Sequence, residues 1–136
     1  MASANLELLR WIFASWARGD FSSAEWAHPE IEYEFADGPA PGRWKGLPAM
    51  AAAWGETLRA WEDFRAEAEE YRELDSERVL VLTTNSGRGK ASGLEVGQIH
   101  TKGANVFHIR DGRVTRLVLY WDRERALADP DLAPLD

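Results

Sequence analysis

The chain contains no cysteine, which excludes a disulfide framework, a thiolate nucleophile and any zinc site built on thiolates. It also has no apolar run near the ~20 residues that a membrane-spanning helix needs. Its first residues read as an amphipathic helix without the apolar centre of a signal peptide. A cytoplasmic protein with no membrane partner is therefore expected. Positive charge is scarce as well: 16 Lys and Arg against 23 Asp and Glu leave a net charge of -7 over 136 residues. Nucleic-acid binding needs clustered basic side chains, and these are scattered, so no nucleic-acid partner is expected. The three histidines, His28, His100 and His108, are dispersed. Neither His-x-x-x-His nor His-Glu-x-x-His spacing occurs, so no metal site is expected. Gly87-Arg88-Gly89-Lys90 lacks the spacing of a phosphate loop, and no cofactor is expected.

What the chain has in excess is tryptophan, seven in 136 residues. Indole brings a large apolar surface and one N–H donor, which suits cavity walls and interfaces as well as cores. The length is that of one domain, expected to span 1–136 and to bury a real core.

Local shape is declared most clearly between Ala104 and Arg125. Two alternating runs flank Arg110-Asp111-Gly112-Arg113, and Asp-Gly between such runs is a strong hairpin signal. In the first arm Asn105, Phe107 and Ile109 share a face opposite Val106 and His108. In the second, Val118, Tyr120 and Asp122 share a face opposite Leu117, Leu119 and Trp121. Both faces of the second arm are largely apolar, so both should be covered.

Upstream, Ser3 can cap a helix over Ala4 to Arg18 that carries Leu6, Leu9, Phe13 and Trp16 at helical spacing. Gly19 stops it, and Asp20 starts a short helix that His28-Pro29 ends. Glu30 to Phe35 alternates, with Ile31, Tyr33 and Phe35 inward and Glu30, Glu32 and Glu34 outward, a carboxylate coat that also suits an edge. The same parity carries Asp37 inward, and Asp37 to Gly42 reads as an irregular loop. Gly46-Leu47-Pro48 opens a long helix with Met50, Trp54, Leu58 and Trp61 on one stripe, closed by Glu62-Asp63-Phe64. Arg65 to Glu73 reads as a strand or a charged extension of that helix. Arg78 to Thr84 is strongly β-prone. After a glycine-rich excursion over Gly87 to Gly93, Leu94 to Lys102 returns as a strand in which Gly97 and Gly103 suggest bulges.

This order, with Gly46-Leu47-Pro48-Ala49-Met50, Trp61-Glu62-Asp63-Phe64, Phe107-His108-Ile109-Arg110-Asp111-Gly112-Arg113-Val114 and Tyr120-Trp121-Asp122-Arg123-Glu124-Arg125, resembles the SnoaL-like branch of the nuclear transport factor 2 (NTF2-like) superfamily over nearly the whole chain. The resemblance implies an α+β, cystatin-like cone, in which a strongly curved mixed or antiparallel sheet wraps the long helix and N-terminal helices. It also implies a deep, mostly apolar pocket at the open end and a homodimer through the outer sheet face. The fold hosts isomerases, cyclases, epoxide hydrolases and binding-only modules, so it does not by itself assign an activity.

Inward parity then nominates Trp16, Tyr33, Phe35, Trp54, Trp61, Phe107 and Asp122 to contact a small apolar or polycyclic ligand. Asp37 is the candidate general base, a carboxylate placed among aromatic walls. Asn105 and Tyr120 are candidate polarising donors. Steroid isomerases of the superfamily pair their base with a tyrosine on the first helix and an acid on a strand. Here Trp11, Ile12 and Phe13 occupy the helix turn and Asn105 the strand, which disfavours that mechanism. Three functions remain open: a binder of a small apolar molecule in a Trp-rich pocket, an isomerase or cyclase using Asp37, and a non-catalytic homodimeric interaction module.

Overall fold

Asp111 and Gly112 both take positive φ, 53° and 77°, the conformation of a two-residue turn whose twist matches that of the strands it joins. The turn links β5 (Val96–Arg110) to β6 (Arg113–Tyr120), the hairpin expected from Asp-Gly. The computed structural model describes residues 4–21, 25–37, 41–89 and 96–129. Within them, in chain order, lie α1 (Ala4–Trp16), β1 (Ala27–Phe35), β2 (Gly42–Lys45), α2 (Leu47–Ala60), β3 (Trp61–Glu73), β4 (Arg78–Gly89), then β5, β6 and α3 (Arg123–Leu127). The six strands form one sheet in the order β2-β1-β6-β5-β4-β3. All neighbours are antiparallel except β1 and β6, which run parallel.

Several expected boundaries move. The expected strand at Glu30 begins at Ala27, and the described residues between Asp20 and Trp26 are not helical. His28 and Pro29 thus lie inside β1, where the Glu30 amide donates to His28 Nδ1 at 3.0 Å. β1 is not an edge: β2, a four-residue strand placed in the expected loop, takes that position. α2 starts where Leu47-Pro48 predicts but stops at Ala60, and Trp61 to Phe64 opens β3. Arg65 to Glu73 is strand throughout. β5 is continuous through Gly103, with no register shift there. Residues 90–95, most of the glycine-rich excursion, lie outside the described residues. Among the described residues no helix is long and apolar enough to cross a membrane.

A bulge decides the site. Arg110 pairs with Arg113 and Ile109 with Val114, but His108 pairs with Arg116, so Thr115 is the extra residue on β6. Its hydroxyl donates to the His108 carbonyl at 3.3 Å. Beyond it Asn105 faces Leu119 and Phe107 faces Leu117. One inserted residue sends every following side chain to the opposite face. Leu117, Leu119 and Trp121 therefore join the main core, and Val118 and Tyr120 turn to the outer face.

That main core fills the concave side. α1 contributes Leu9, Ile12, Phe13 and Trp16, the sheet Ile31, Tyr33, Val79, Val81, Phe107 and Leu117, and α2 Met50 and Ala53. A second cluster, Leu80, Leu82, Ala104, Val106 and Val118, lies on the outer face beside Ala126 of α3. All five sheet residues of that cluster are buried within one chain. Ala126 of α3 packs into that outer cluster.

Candidate functional site

Seven elements converge on a hollow at one end of the concave face. Trp16 comes from the end of α1, Phe35 from the end of β1, Trp54 from α2, and Phe64 and Ala66 from β3. β4 and β5 supply Asn85 and Asn105; Leu119 and Trp121 come from the end of β6, and Tyr120 touches the same space. The hollow encloses about 340 Å³ of empty volume, counting its solvent-open part. Its lining side chains leave room inside for roughly one water. The deep pocket implied by the resemblance is thus mostly occupied by indole and phenyl rings. Trp16 packs on Trp54 and Phe107 with centroids 5.9 and 6.2 Å apart. Phe64 meets Trp54 and Trp121, each at 6.2 Å.

Among the sequence candidates, Trp16, Phe35, Trp54 and Asn105 are brought together here. Asn105 is buried, 5 % exposed, one of two buried polar residues with Thr83 among the described residues. Phe107 lies beneath the hollow, fully enclosed against Phe13 and Trp16. Tyr33 is buried against Phe35, Trp44 and Trp54 and does not line the space. The backbone of Trp61 opens β3, but its side chain lies outside the described residues, as does that of His100.

Tyr120 borders the hollow while its ring packs outward, and Asp122 lies outside it. The Tyr120 ring packs on the outer cluster and its hydroxyl donates to Asp129 at 3.5 Å. Burial, with the negative charge of Asp129, raises that phenol above its ordinary range. Asp122 is exposed and caps α3, accepting from the Glu124 amide at 3.0 Å. Both were expected inward, and the Thr115 bulge reverses them. Asp37 stands at the rim and is spent on backbone: its two oxygens accept from the Trp121 and Asp122 amides at 2.5 and 3.2 Å. A carboxylate so held ties the end of β1 to the end of β6.

Sequence reasoning missed Asn85, Phe64, Ala66, Leu119 and Trp121. The last two needed the bulge, and Asn85 needed the continuation of β4 beyond Thr84. His108, half-buried on the outer face, has its pKa held below the ordinary range by burial, then by Arg116 and Arg78. Among the described residues no cluster of His, Asp or Glu could hold a metal.

The Tyr33 hydroxyl is buried with no hydrogen-bond partner among the described residues, and burial raises its pKa well above the ordinary range. An unpaired buried hydroxyl costs stability that its removal restores. Tyr33→Phe is therefore expected to stabilise the fold by about 1 kcal/mol, a rise of about 3 °C in Tm at this size. A calorimetric scan reads the shift, and a fall would mean that the hydroxyl has a partner.

Comparison with known proteins places this arrangement. A profile of the SnoaL-like domain matches residues 9–117. No curated protein matches the chain. Among solved structures, an NTF2-like protein of unknown function from Burkholderia pseudomallei is similar with a TM-score of 0.76 at 19% identity, over 91% of this chain and 95% of that one. A candidate polyketide cyclase from Sinorhizobium meliloti gives a TM-score of 0.63 at 25% identity, over 83% and 93%. A protein with a ketosteroid isomerase-like fold from Catenulispora acidiphila, in complex with trimethylamine, gives 0.70 at 12% identity, over 85% of each chain.

Proposed function

The chain belongs to the SnoaL-like domain family, with the curved α+β sheet of ketosteroid isomerase-like and cystatin-like folds, and from that premise we propose that it binds a small, neutral, mainly apolar molecule in the hollow. The observation that carries this reading is the lining itself. Apart from Tyr120, whose phenol is engaged on the outer face, it holds no ionisable side chain among the described residues. Aromatic walls with a few convergent polar groups are the ordinary make-up of a small-molecule site. General acid–base catalysis needs a titratable group within hydrogen-bond reach of the reacting proton. Asp37, the base of the isomerase or cyclase reading, holds two backbone amides at the rim instead. The similarity to a trimethylamine-bound structure of this fold and to a candidate polyketide cyclase supports a small-molecule reading without supplying the ligand.

Size limits the ligand. A cavity of roughly 150 Å³ admits a benzene ring, so a single ring requires the half-buried indoles of Trp54 and Trp121 to give way. A steroid-sized ligand would require the whole ring cluster to move. Titration with single-ring aromatics is expected to change tryptophan emission saturably, and a steroid panel is expected not to. Failure of every small apolar probe to saturate would overturn the binding reading and leave the interaction-module reading.

A further inference from the structure

α1 turns one face to the core and the other to solvent. Leu9, Ile12, Phe13 and Trp16 are buried. On the opposite side Ala4, Glu7, Trp11, Ala14 and Arg18 are all exposed. At 3.6 residues per turn these five share about 80° of arc. Their spacings alternate between three and four, the pattern of a seam along which helices pair. Trp11 stands at the middle of it with 49 % of its surface exposed. The solvent side of a helix ordinarily carries polar residues, and an indole in that place suits a contact surface.

The order of these residues indicates the occupant. Laid antiparallel against its own copy, the seam sets Glu7 opposite Arg18 and Trp11 opposite Ala14. A large side chain then meets a small one and an acid meets a base, and each contact occurs twice. A surface that complements its own reverse is what an isologous twofold contact requires. Arg18 lies just past the end of α1, and its guanidinium donates to the Ala14 carbonyl at 3.0 Å. That bond holds the charge beside the seam and leaves other donors of the fork for a carboxylate.

We propose that α1 pairs antiparallel with α1 of a second copy of this chain, about a twofold axis between Trp11 and Ala14. The two indoles lie side by side at the centre, each against Ala14 of the other copy. Glu7–Arg18 pairs close both ends. This surface is separate from the outer sheet face and from the hollow. One helix face is smaller than the ~1,200 Å² at which standard interfaces begin, so the association is weak and reversible. Its charged ends make it sensitive to salt.

Sedimentation equilibrium of the wild type up to about 1 mM, with Trp11→Ala, Glu7→Arg and Arg18→Glu beside it, tests the pairing. The wild type is expected to self-associate, and Trp11→Ala to do so about thirtyfold more weakly, the loss at a central tryptophan anchor. Glu7→Arg and Arg18→Glu each set like charges together in a self-pair and are expected to weaken it. Mixed in equal amounts, the two are expected to associate again, because every end contact then joins opposite charges. A wild type that stays monomeric would overturn the proposal, as would self-association that Trp11→Ala leaves unchanged. A mixture that associates no more tightly than its two components would overturn it as well. Should Trp11→Ala fail to fold, the charge variants decide the matter alone.

Discussion

Truncating Phe107 to alanine is expected to cost about 3–5 kcal/mol of unfolding free energy, the usual range for removing an enclosed phenyl ring. Phe107 has no exposed surface, and its ring meets those of Phe13 and Trp16 at 5.9 and 6.2 Å. Those neighbours are fixed from both sides, by the α1 backbone and by the other rings around Trp16, so the site cannot collapse to fill the space. The loss includes the contacts across the gap as well as the transfer of the ring from water. Urea denaturation with an unchanged slope and a lower midpoint would record it. A loss below about 1 kcal/mol would mean that the ring is not enclosed. The variant also joins a new void to the underside of the hollow, so single-ring ligands are expected to bind it more tightly relative to its lower stability.

Asp37→Ala is expected to cost about 2 kcal/mol, since hydrogen bonds to a charged acceptor contribute more than neutral ones. The carboxylate accepts from the Trp121 and Asp122 amides and so ties the end of β1 to the residues that follow β6. Asp37→Asn keeps one acceptor oxygen and should lose about half as much, with ligand affinity nearly unchanged, because the lining residues stay in place. Denaturation midpoints for both variants check the first part and titration checks the second. An Asp37→Asn protein of wild-type stability that has lost turnover of a bound compound would return Asp37 to the reacting atoms.

These two residues also show where sequence reading works and where it stops. The period-two pattern of Glu30 to Phe35 assigns the buried face of β1 correctly, because local alternation needs no knowledge of the partner strand. The hairpin turn at Asp111-Gly112 is equally local. The direction of Tyr120 is not: a plain two-residue hairpin puts it on the same side as Asn105, and the extra residue at Thr115 inverts that. Val114-Thr115-Arg116 carries no glycine or proline to announce a bulge. β2 was invisible for a related reason, since its four residues alternate only between partly buried and exposed. Trp61 follows Trp54 by seven residues, about two helical turns, so helical spacing continues into a segment that the sheet claims through pairing with Gly89. The aromatic half of the hollow was therefore legible from composition and parity. Of its polar side chains, Asn105 was legible from parity, whereas Asn85 depended on how far β4 extends.

The parallel pairing of β1 with β6 has a consequence for assembly of the chain. β6 follows the other five strands of the described sheet, yet it sits between β1 and β5, so β1 and β2 cannot join the rest of the sheet until β6 has been made. Contacts of such long sequence separation are slow to form. The strands from β3 onward can zip up first as successive hairpins, and β1 with β2 must wait beside them. Loss of β6 would leave β1 and β2 paired with each other and cut off from the rest of the sheet.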